Sequence, residues 1–356
     1  TPNAGCQTID TVAAIDQAVA DGVDVINYSI SGTRTNFRDP VEIAFLNAAD
    51  AGVFVAASAG NSGPTTSTVA HPSPWITTVA AGTHPRDSVG SVTLGSGATY
   101  VGSSLSLTGL PQHPFIDAAS AGLPGADPAL VALCYAAVDN AGVAVLDPTK
   151  IAGKIVLCDR GATARVNKSQ AVREAGGVGM VLANVVAGTL NADAHSVPSV
   201  HVAHTARAAL KAYAATEGAS ALISTSNFVD NPALGPLTAS FSSRGPLVAG
   251  GGDLLKPDVI APGQDILAGL APTGNNGDYF GLLSGTSMSS PHVAGLAALM
   301  KELHPSWSPM AIKSALMTSA GDVLDGPNTN PLVIFRQGAG HVQPGKALNP
   351  GLIYDS

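Results

Sequence analysis

"SGTSMSSPHVAG", residues 284–295, joins a turn of small residues to a segment of helix formers. We predict that Ser287 lies at or just before the N-terminus of this helix, with Pro291 in the first turn, because proline disrupts a helix further in. Free backbone N–H groups and the positive end of the helix dipole favour a developing oxyanion there. A serine in such a place is more often a simple cap. The stretch therefore predicts either a capped helix or a nucleophile.

Strands and helices are predicted to alternate before this stretch. Asp39 and Pro40 predict the N-cap and first turn of a helix over 41–51. Apolar, β-branched runs predict buried strands at "VDVINYSI" (23–30), "VFVAASAG" (53–60) and "WITTVAAG" (75–82). Strands joined by helices through short connections are typical of a parallel sheet covered by helices. Ligands bind beyond the carboxyl ends of such strands, so we expect functional residues in "SGTR" (31–34) and "AGNSGP" (59–64).

The composition changes at about Gly109, where Pro, Gly and Ala become frequent. The stretch up to Asn227 has its own apolar pattern of strands and helices, and the pattern seen before Gly109 returns after it. We therefore predict a first domain over 1–108, an inserted mixed α/β domain over 109–227, and the rest of the first domain over 228–356.

The chain has three cysteines, Cys6, Cys134 and Cys158. A lone cysteine is most often a buried small side chain. Cys134 and Cys158 share one Gly-rich region of the insert, so we expect a disulfide between them and hence a secreted protein. In the chain-entropy description, a loop of this length stabilises the fold by about 3.5 kcal/mol. For the odd Cys6 we expect a partner outside this sequence.

The composition also limits the classes of partner. Of the 356 residues, 45% are hydrophobic and 12% are charged, and the net charge is −8, which predicts a globular protein with a sizeable core. The negative charge and the absence of a Lys/Arg run argue against nucleic acid and membranes. The histidines and cysteines never cluster with the spacing of metal ligands, so we expect no metal and no cofactor. The first ten residues lack the pattern of a signal peptide, so we expect the chain to begin inside a processed or cut protein.

Several segments together resemble one family. With the opening stretch, they occur in the order found in subtilisin-like serine proteases, or subtilases: "DGVDVINYSISG" (21–32), "AASAGNSGP" (56–64), "FSSRGP" (241–246) and "LKPDVIAPG" (255–263). The insert, with "GKIVLCDRG" (153–161), looks like a protease-associated domain, and "GAGHVQPGKALNPGLIYD" (338–355) is similar to plant-type subtilases. The resemblance implies an α/β, three-layer subtilisin-like fold, in which helices cover a parallel sheet that carries a protease-associated insert.

The resemblance also implies roles for residues of this sequence. Ser287 matches the acylating nucleophile and Asn61 the side-chain donor of the oxyanion hole, with the backbone N–H of Ser287 as the second donor. A peptide substrate is expected to add as an extended strand between two segments, with main-chain hydrogen bonds. These segments are Ser29, Ile30, Ser31 and Gly32 on one side and Ser58, Ala59 and Gly60 on the other. The implied function is that of a secreted serine endopeptidase acting on peptides or proteins.

Subtilases place Asp and His before Ser along the chain, and no stretch before residue 21 matches either. His292 follows Ser287 by five residues, about 140° around the helix, so we expect a packed core histidine that points away. Seven further histidines lack a carboxylate at useful spacing and are expected to be structural or on the surface: His71, His84, His195, His201, His204, His304 and His341. Both triad partners are therefore expected outside this sequence, which we interpret as a fragment of a catalytic domain that is nearly inert alone.

Other interpretations stay open at this point. The chain is a non-catalytic binding scaffold if the preceding sequence lacks the Asp and His motifs. Sedolisins also use a Gly-Thr-Ser turn, but their oxyanion residue is Asp, which Asn61 argues against. The family's sheet includes earlier strands, so we expect an unpaired strand edge here, covered by the missing N-terminal segment or by a dimer partner.

Overall fold

A computed structural model of the chain describes residues 6–230, 232, 235–273, 279–326 and 331–355. The chain divides into two compact units. Unit 1 consists of Thr1–Pro85, Pro232–Ile266 and Leu283–Ser356, and unit 2 consists of Arg86–Asn231 and Leu267–Leu282.

The helices and strands follow in chain order. The first elements, all in unit 1, are α1 (Thr8–Ala20), β1 (Val25–Tyr28), α2 (Pro40–Asp50), β2 (Phe54–Ser58) and β3 (Thr77–Gly82). Unit 2 continues with β4 (Arg86–Leu94), β5 (Thr99–Ser103), β6 (Leu110–Asp117), α3 (Pro128–Ala132), α4 (Pro148–Ile151), β7 (Ile155–Asp159), α5 (Arg165–Glu174), β8 (Gly179–Ala183), β9 (Ser199–Val202), α6 (His204–Ala214), β10 (Ser220–Ile223) and β11 (Asn227–Asp230). The last elements are β12 (Val259–Pro262), the hairpin strands β13 (Ile266–Gly269) and β14 (Phe280–Leu283), α7 (Thr286–Leu303), α8 (Pro309–Thr318), α9 (Pro331–Gln337) and α10 (Pro344–Ala347).

The sheet of unit 1 has four parallel strands in the order β1-β2-β3-β12. Alternate residues of β2 face opposite sides, as the period of a strand requires. Phe54 and Ala56 pack in the core that contains residues of α7 and α8, whereas Val55 and Ala57 pack with Phe45 of α2. Helices therefore cover both faces, giving three layers. Strand β1 is half-exposed rather than buried as predicted, because among the described residues it pairs only with β2.

Local capping signals place two of the helices. Helix α2 begins at Pro40, and the Asp39 carboxylate accepts a hydrogen bond from the Val41 N–H at 3.0 Å. Helix α8 begins after Ser308, whose Oγ accepts from the Ala311 N–H at 3.0 Å. Both starts agree with the sequence because a cap depends only on its own turn.

Unit 2 is built on one mixed sheet of eight strands in the order β10-β6-β7-β8-β9-β5-β4-β11. Strand β10 also pairs with β4, so the sheet closes on itself. Because β4 and β5 belong to this sheet, the unit begins at Arg86, and the predicted start at Gly109 is too late. It ends at Asn231 rather than Asn227 because β11 pairs with β4, and it includes the Leu267–Leu282 hairpin.

A disulfide joins Cys134 to Cys158, the pair expected from the sequence, and both cysteines are fully buried in a core of unit 2. Cys6 is exposed and forms no disulfide. None of the helices in the described ranges combines the length and the apolar character needed to cross a membrane.

Candidate active site

The first turn of α7 is tied to the loop that follows β2. Thr286 is buried, and its Oγ1 accepts a hydrogen bond from the Gly60 N–H at 3.1 Å. The same hydroxyl donates to Oδ1 of Asn61 at 2.9 Å, and the Thr286 backbone N–H donates to that oxygen, also at 2.9 Å. Asn61 is therefore held by its oxygen at the N-terminus of α7.

Because Oδ1 of Asn61 is occupied, its amide nitrogen faces the opposite way. Within the described part of the chain, this Nδ2 forms no hydrogen bond. An ideal Cβ on Gly285 would lie 3.3 Å from Nδ2 of Asn61 and 3.6 Å from the backbone N of Ser287. The two N–H donors thus border one small space beside Gly285, which Sδ of Met288 also approaches at 3.6 Å. Two donors around one point are what a single carbonyl oxygen requires in order to be held from both sides.

Ser287, the second residue of α7, exchanges two hydrogen bonds with Ser29, which follows β1. Its Oγ donates to the Ser29 carbonyl oxygen at 3.0 Å, and the Ser29 Oγ donates to the Ser287 carbonyl oxygen at 2.8 Å. The sequence predicted Pro291 in the first turn of α7, but it is the sixth residue of this helix. Proline has no N–H, so the Ser287 carbonyl four residues earlier has no partner inside the helix. Ser29 supplies that partner.

A buried histidine lies behind the segment after β1. Nε2 of His71 is 2.8 Å from the Ile30 carbonyl oxygen, and Nδ1 is 2.8 Å from Oε1 of Glu42. Both side chains are almost completely buried. A Cβ on Gly32 would collide with the His71 ring, so glycine is needed there for space. The backbone N–H and C=O of Ser31 form no hydrogen bond within the described residues and remain available.

Two histidines differ from their predicted surroundings. His71 does have a carboxylate partner, Glu42, although the two lie 29 positions apart in sequence. His292 is exposed rather than packed in the core, and its Nδ1 lies 2.8 Å from the Met288 carbonyl oxygen. Residue 292 occupies the solvent side of α7, whereas Val293 and Ala294 are buried. Neither histidine hydrogen-bonds to Ser287.

The second predicted substrate segment, Ser58 to Gly60, is buried, and its main chain is largely occupied. The Ala59 N–H donates to Val79, and its carbonyl accepts from Ala70, both at 2.9 Å. The Gly60 carbonyl accepts from the Ser243 N–H at 2.9 Å. Main-chain pairing of Ala59 and Gly60 with a peptide stays a prediction, and it requires their N–H groups to exchange the partners that they have inside the fold. Gly60 has a φ of +98°, which favours glycine.

Comparison with known proteins identifies the family of the chain. Residues 1–340 match the Subtilase family. The chain belongs to the subtilase family. This subtilase is 44% identical over 373 residues to subtilisin-like protease SBT1.7 of Arabidopsis thaliana, covering 99% of the chain and 48% of that protein. It is 43% identical over 374 residues to SBT1.3 of the same organism, covering 99% of the chain and 47% of that protein. The chain spans about half the length of the curated relatives it matches.

Among solved structures, this subtilase is similar to the psychrophilic subtilisin-like protease Apa1 from the Antarctic psychrotroph Pseudoalteromonas sp. AS-11. The sequence identity is 18% and the TM-score is 0.39, with 97% of this chain and 73% of that chain covered. A likeness at this level carries no argument about the site.

The sequence predicted a structural or surface role for His71, but it did not predict two further residues of this subtilase that hold the site in place, Thr286 and Glu42. Glu42 could have been recognised from the sequence as a buried carboxylate, because it lies on the same face of α2 as the buried Phe45. A carboxylate on an apolar helix face needs a partner inside the fold. The identity of that partner depends on tertiary structure and has no local signal.

Proposed function

We propose that the protein is a serine endopeptidase in which Ser287 attacks the carbonyl carbon of a peptide bond and forms an acyl-enzyme. In this reaction, Nδ2 of Asn61 and the backbone N–H of Ser287 hold the carbonyl oxygen as it becomes negative. The main support is the small space that these two donors border beside Gly285. Membership of the subtilase family adds to this support.

The peptide is proposed to run along Ser29, Ile30, Ser31 and Gly32. Ser31 offers a free backbone donor and acceptor for a strand-like pairing with the substrate. The contacts of His71 with Ile30 and Gly32 fix this segment from behind. Ser58, Ala59 and Gly60 line the opposite wall, and the substrate side chain next to the scissile bond lies between the two walls.

The general base and its orienting carboxylate are proposed to come from outside these 356 residues. Among the described residues, the hydroxyl of Ser287 donates to the Ser29 carbonyl and not to a histidine. A serine without its base loses most of its reactivity but keeps substrate contacts and oxyanion donors. The same observation favours a second candidate function for these residues taken alone, that of a non-catalytic scaffold that binds peptides.

For the rest of the molecule, we propose that unit 2 is a protease-associated domain and that the protein is secreted. The buried disulfide between Cys134 and Cys158 suits an oxidising compartment. Peptides or proteins are the proposed substrates, without a cofactor. We further propose that a preceding segment or a second copy of the chain covers the edge of β1.

A fluorophosphonate probe tests the assignment of the nucleophile. We expect the natural gene product that contains this chain to be labelled at Ser287 and to hydrolyse peptides, and Ser287→Ala to lose both properties. Ser290→Ala is the matched control, because Ser290 is a buried neighbour in α7 whose hydroxyl has no hydrogen-bond partner among the residues that the structure describes. Labelling that persists in Ser287→Ala contradicts the proposal. Peptide binding without any labelling supports the scaffold instead.

A further inference from the structure

A hydrogen bond of Arg34 links the residues that follow the first proposed wall of the substrate cleft to those that follow the second. Its Nη2 donates a hydrogen bond to Oγ of Ser62 at 3.0 Å. Arg34 lies two residues after Gly32, which ends the first wall, and Ser62 directly follows Asn61. The guanidinium therefore lies beside the loop that carries the amide donor.

The backbone that carries Arg34 is already fixed. The Thr33 Oγ1 accepts hydrogen bonds from the backbone N–H groups of Thr35 at 3.3 Å and Asn36 at 3.2 Å. The Thr33 carbonyl accepts from the N–H of the buried His71 at 3.0 Å. The turn is anchored before any ligand arrives, so its backbone loses little conformational entropy when Arg34 binds one.

No carboxylate neutralises the charge of Arg34. Its side chain is exposed and forms no ion pair with any described residue. Residues 29–33 and 58–68, which include both walls, contain no Asp, Glu, Lys or Arg. Salt screens the other charges of this chain, with its net charge of −8, over about 8 Å at physiological ionic strength. Behind the first wall, the Glu42 carboxylate is buried against His71, so the only exposed charge in residues 29–34 and 58–68 is that of Arg34.

We propose that Arg34 selects substrates with a carboxylate side chain, Asp or Glu, on the residue that supplies the scissile carbonyl. This inference rests on the proposed function, which places that carbonyl between Asn61 and Ser287 and its side chain between the walls. Only one N–H of the guanidinium is used on Ser62, so the others remain for a carboxylate. A planar guanidinium binds a carboxylate through paired hydrogen bonds, which a lysine does not reproduce.

The test compares two peptides that differ only in Glu or Gln before the scissile bond. For the natural gene product, we expect kcat/KM to be about five- to tenfold higher for the Glu peptide, the range between an exposed ion pair and a desolvated charged hydrogen bond. Arg34→Gln is expected to abolish this preference with little change for the Gln peptide. Arg34→Glu is expected to reverse the preference, and Arg34→Lys to keep part of it.

Arg38→Gln is the matched control, because it removes the same charge four residues away, where the guanidinium has no described contact with Ser62. We expect this variant to keep the preference for Glu. A wild-type protein without a preference overturns the inference, as does an Arg34→Gln variant that keeps it. Equal effects of Arg34→Gln and Arg38→Gln also overturn it, because the effect is then general electrostatics.

A binding measurement separates this inference from the proposed function. Binding of product peptides that end in Glu or Gln to Ser287→Ala needs no catalysis. We expect the Glu peptide to bind about five- to tenfold more tightly than the Gln peptide. This difference is expected to disappear in the double variant Ser287→Ala/Arg34→Gln. Absent labelling of Ser287 together with a Glu preference in binding contradicts the peptidase and supports the role of Arg34. Labelling of Ser287 together with equal affinities for the two peptides supports the peptidase and contradicts the role of Arg34. Failure of both peptides to bind overturns the role of Arg34.

Discussion

The two ends of the Asn61 side chain have different roles. The oxygen receives both hydrogen bonds from Thr286 and fixes the residue, whereas the nitrogen borders the space beside Gly285. Structure and proposed chemistry therefore depend on different atoms of one amide. A substitution that changes only one of them separates the two roles.

Asn61→Asp keeps an oxygen for Thr286 and removes the N–H donor. We expect kcat to fall by about 10²–10³-fold, the size established for loss of the amide donor in subtilisin. The thermal midpoint is expected to stay close to that of the natural protein. Peptide hydrolysis and thermal unfolding of the natural gene product measure the two effects.

Asn61→Ala is the control for this prediction. It also removes the acceptor for Thr286, so we expect the free energy of unfolding to fall by about 1–3 kcal/mol, the cost of leaving a buried donor without a partner. An Asn61→Asp variant with unchanged kcat contradicts the role of the donor.

At the scale of elements, a buried ion cluster joins α8 to strands β3 and β12. Oδ2 of Asp258 lies 2.6 Å from Nζ of Lys256, and Oδ1 lies 2.9 Å from Nζ of Lys313 in α8. The Thr78 N–H in β3 also donates to this carboxylate, at 2.7 Å. Burial alone raises the pKa of Asp258, but the two lysines outweigh it and hold the pKa below its ordinary value. One carboxylate thus faces two buried lysines, and burial lowers the pKa of one of them, Lys256, to about 7.

Asp258→Asn leaves both lysines without a carboxylate. We expect the free energy of unfolding at pH 7 to fall by about 3–5 kcal/mol, as for other broken buried ion pairs. The pKa of Asp258 is lower in the folded state, so its contribution is complete above the unfolded pKa of about 3.9 and is lost as the pH falls through the lower folded value. The difference between the natural protein and the variant should therefore shrink in acid, as denaturant unfolding at several pH values will show.

Lys313→Met is the companion variant in case Asp258→Asn does not fold. It removes one cation and leaves Lys256 paired with Asp258, so its loss of stability at pH 7 should be smaller. A difference between the natural protein and Asp258→Asn that stays constant down to pH values below the folded pKa contradicts this account.

Single elements could be predicted where the deciding interaction is local. The caps at Asp39 and Ser308 need only their own turn, and both helices start there. The predicted place of Pro291 was wrong because the helix tolerates it through a hydrogen bond from Ser29 to the carbonyl of Ser287, 258 positions later in the chain. Asn61 and Ser287 came from a resemblance to a family. Their mutual arrangement depends on Thr286, whose contacts the sequence does not display.

At the scale of the whole molecule, the division into units depends on strand pairing between distant residues. Strand β4 pairs with β10 and β11 more than a hundred positions later, and no change in composition at Arg86 marks this. The change near Gly109 coincides with the start of β6, a strand inside unit 2. Composition therefore located the insert but not its boundary.

The disulfide should stabilise unit 2 alone. In a Cys134→Ala/Cys158→Ala variant, we expect the free energy of unfolding of unit 2 to fall by about 3.5 kcal/mol, because the unfolded chain regains the freedom of the loop. Unit 1 has separate cores and should keep its transition. Calorimetry of the natural gene product will resolve the units if they unfold separately.

Cys6→Ala is the control, because Cys6 is exposed and lies outside the disulfide. We expect it to leave both transitions in place. An equal shift of both units in the double variant argues against separate unfolding.

The chain passes from unit 1 into unit 2 twice. In each case, residues of unit 1 just before the exit are in contact with residues of unit 1 just after the return. An ideal Cβ on Gly235 would be 2.8 Å from the backbone of His84, and the Ser284 hydroxyl donates to Asp265 at 2.9 Å. Doubling the length of a loop whose ends already meet costs only about 0.6 kcal/mol. Insertions or deletions within these two excursions should therefore cost unit 1 little stability, because the contacts that bring their ends together lie in unit 1.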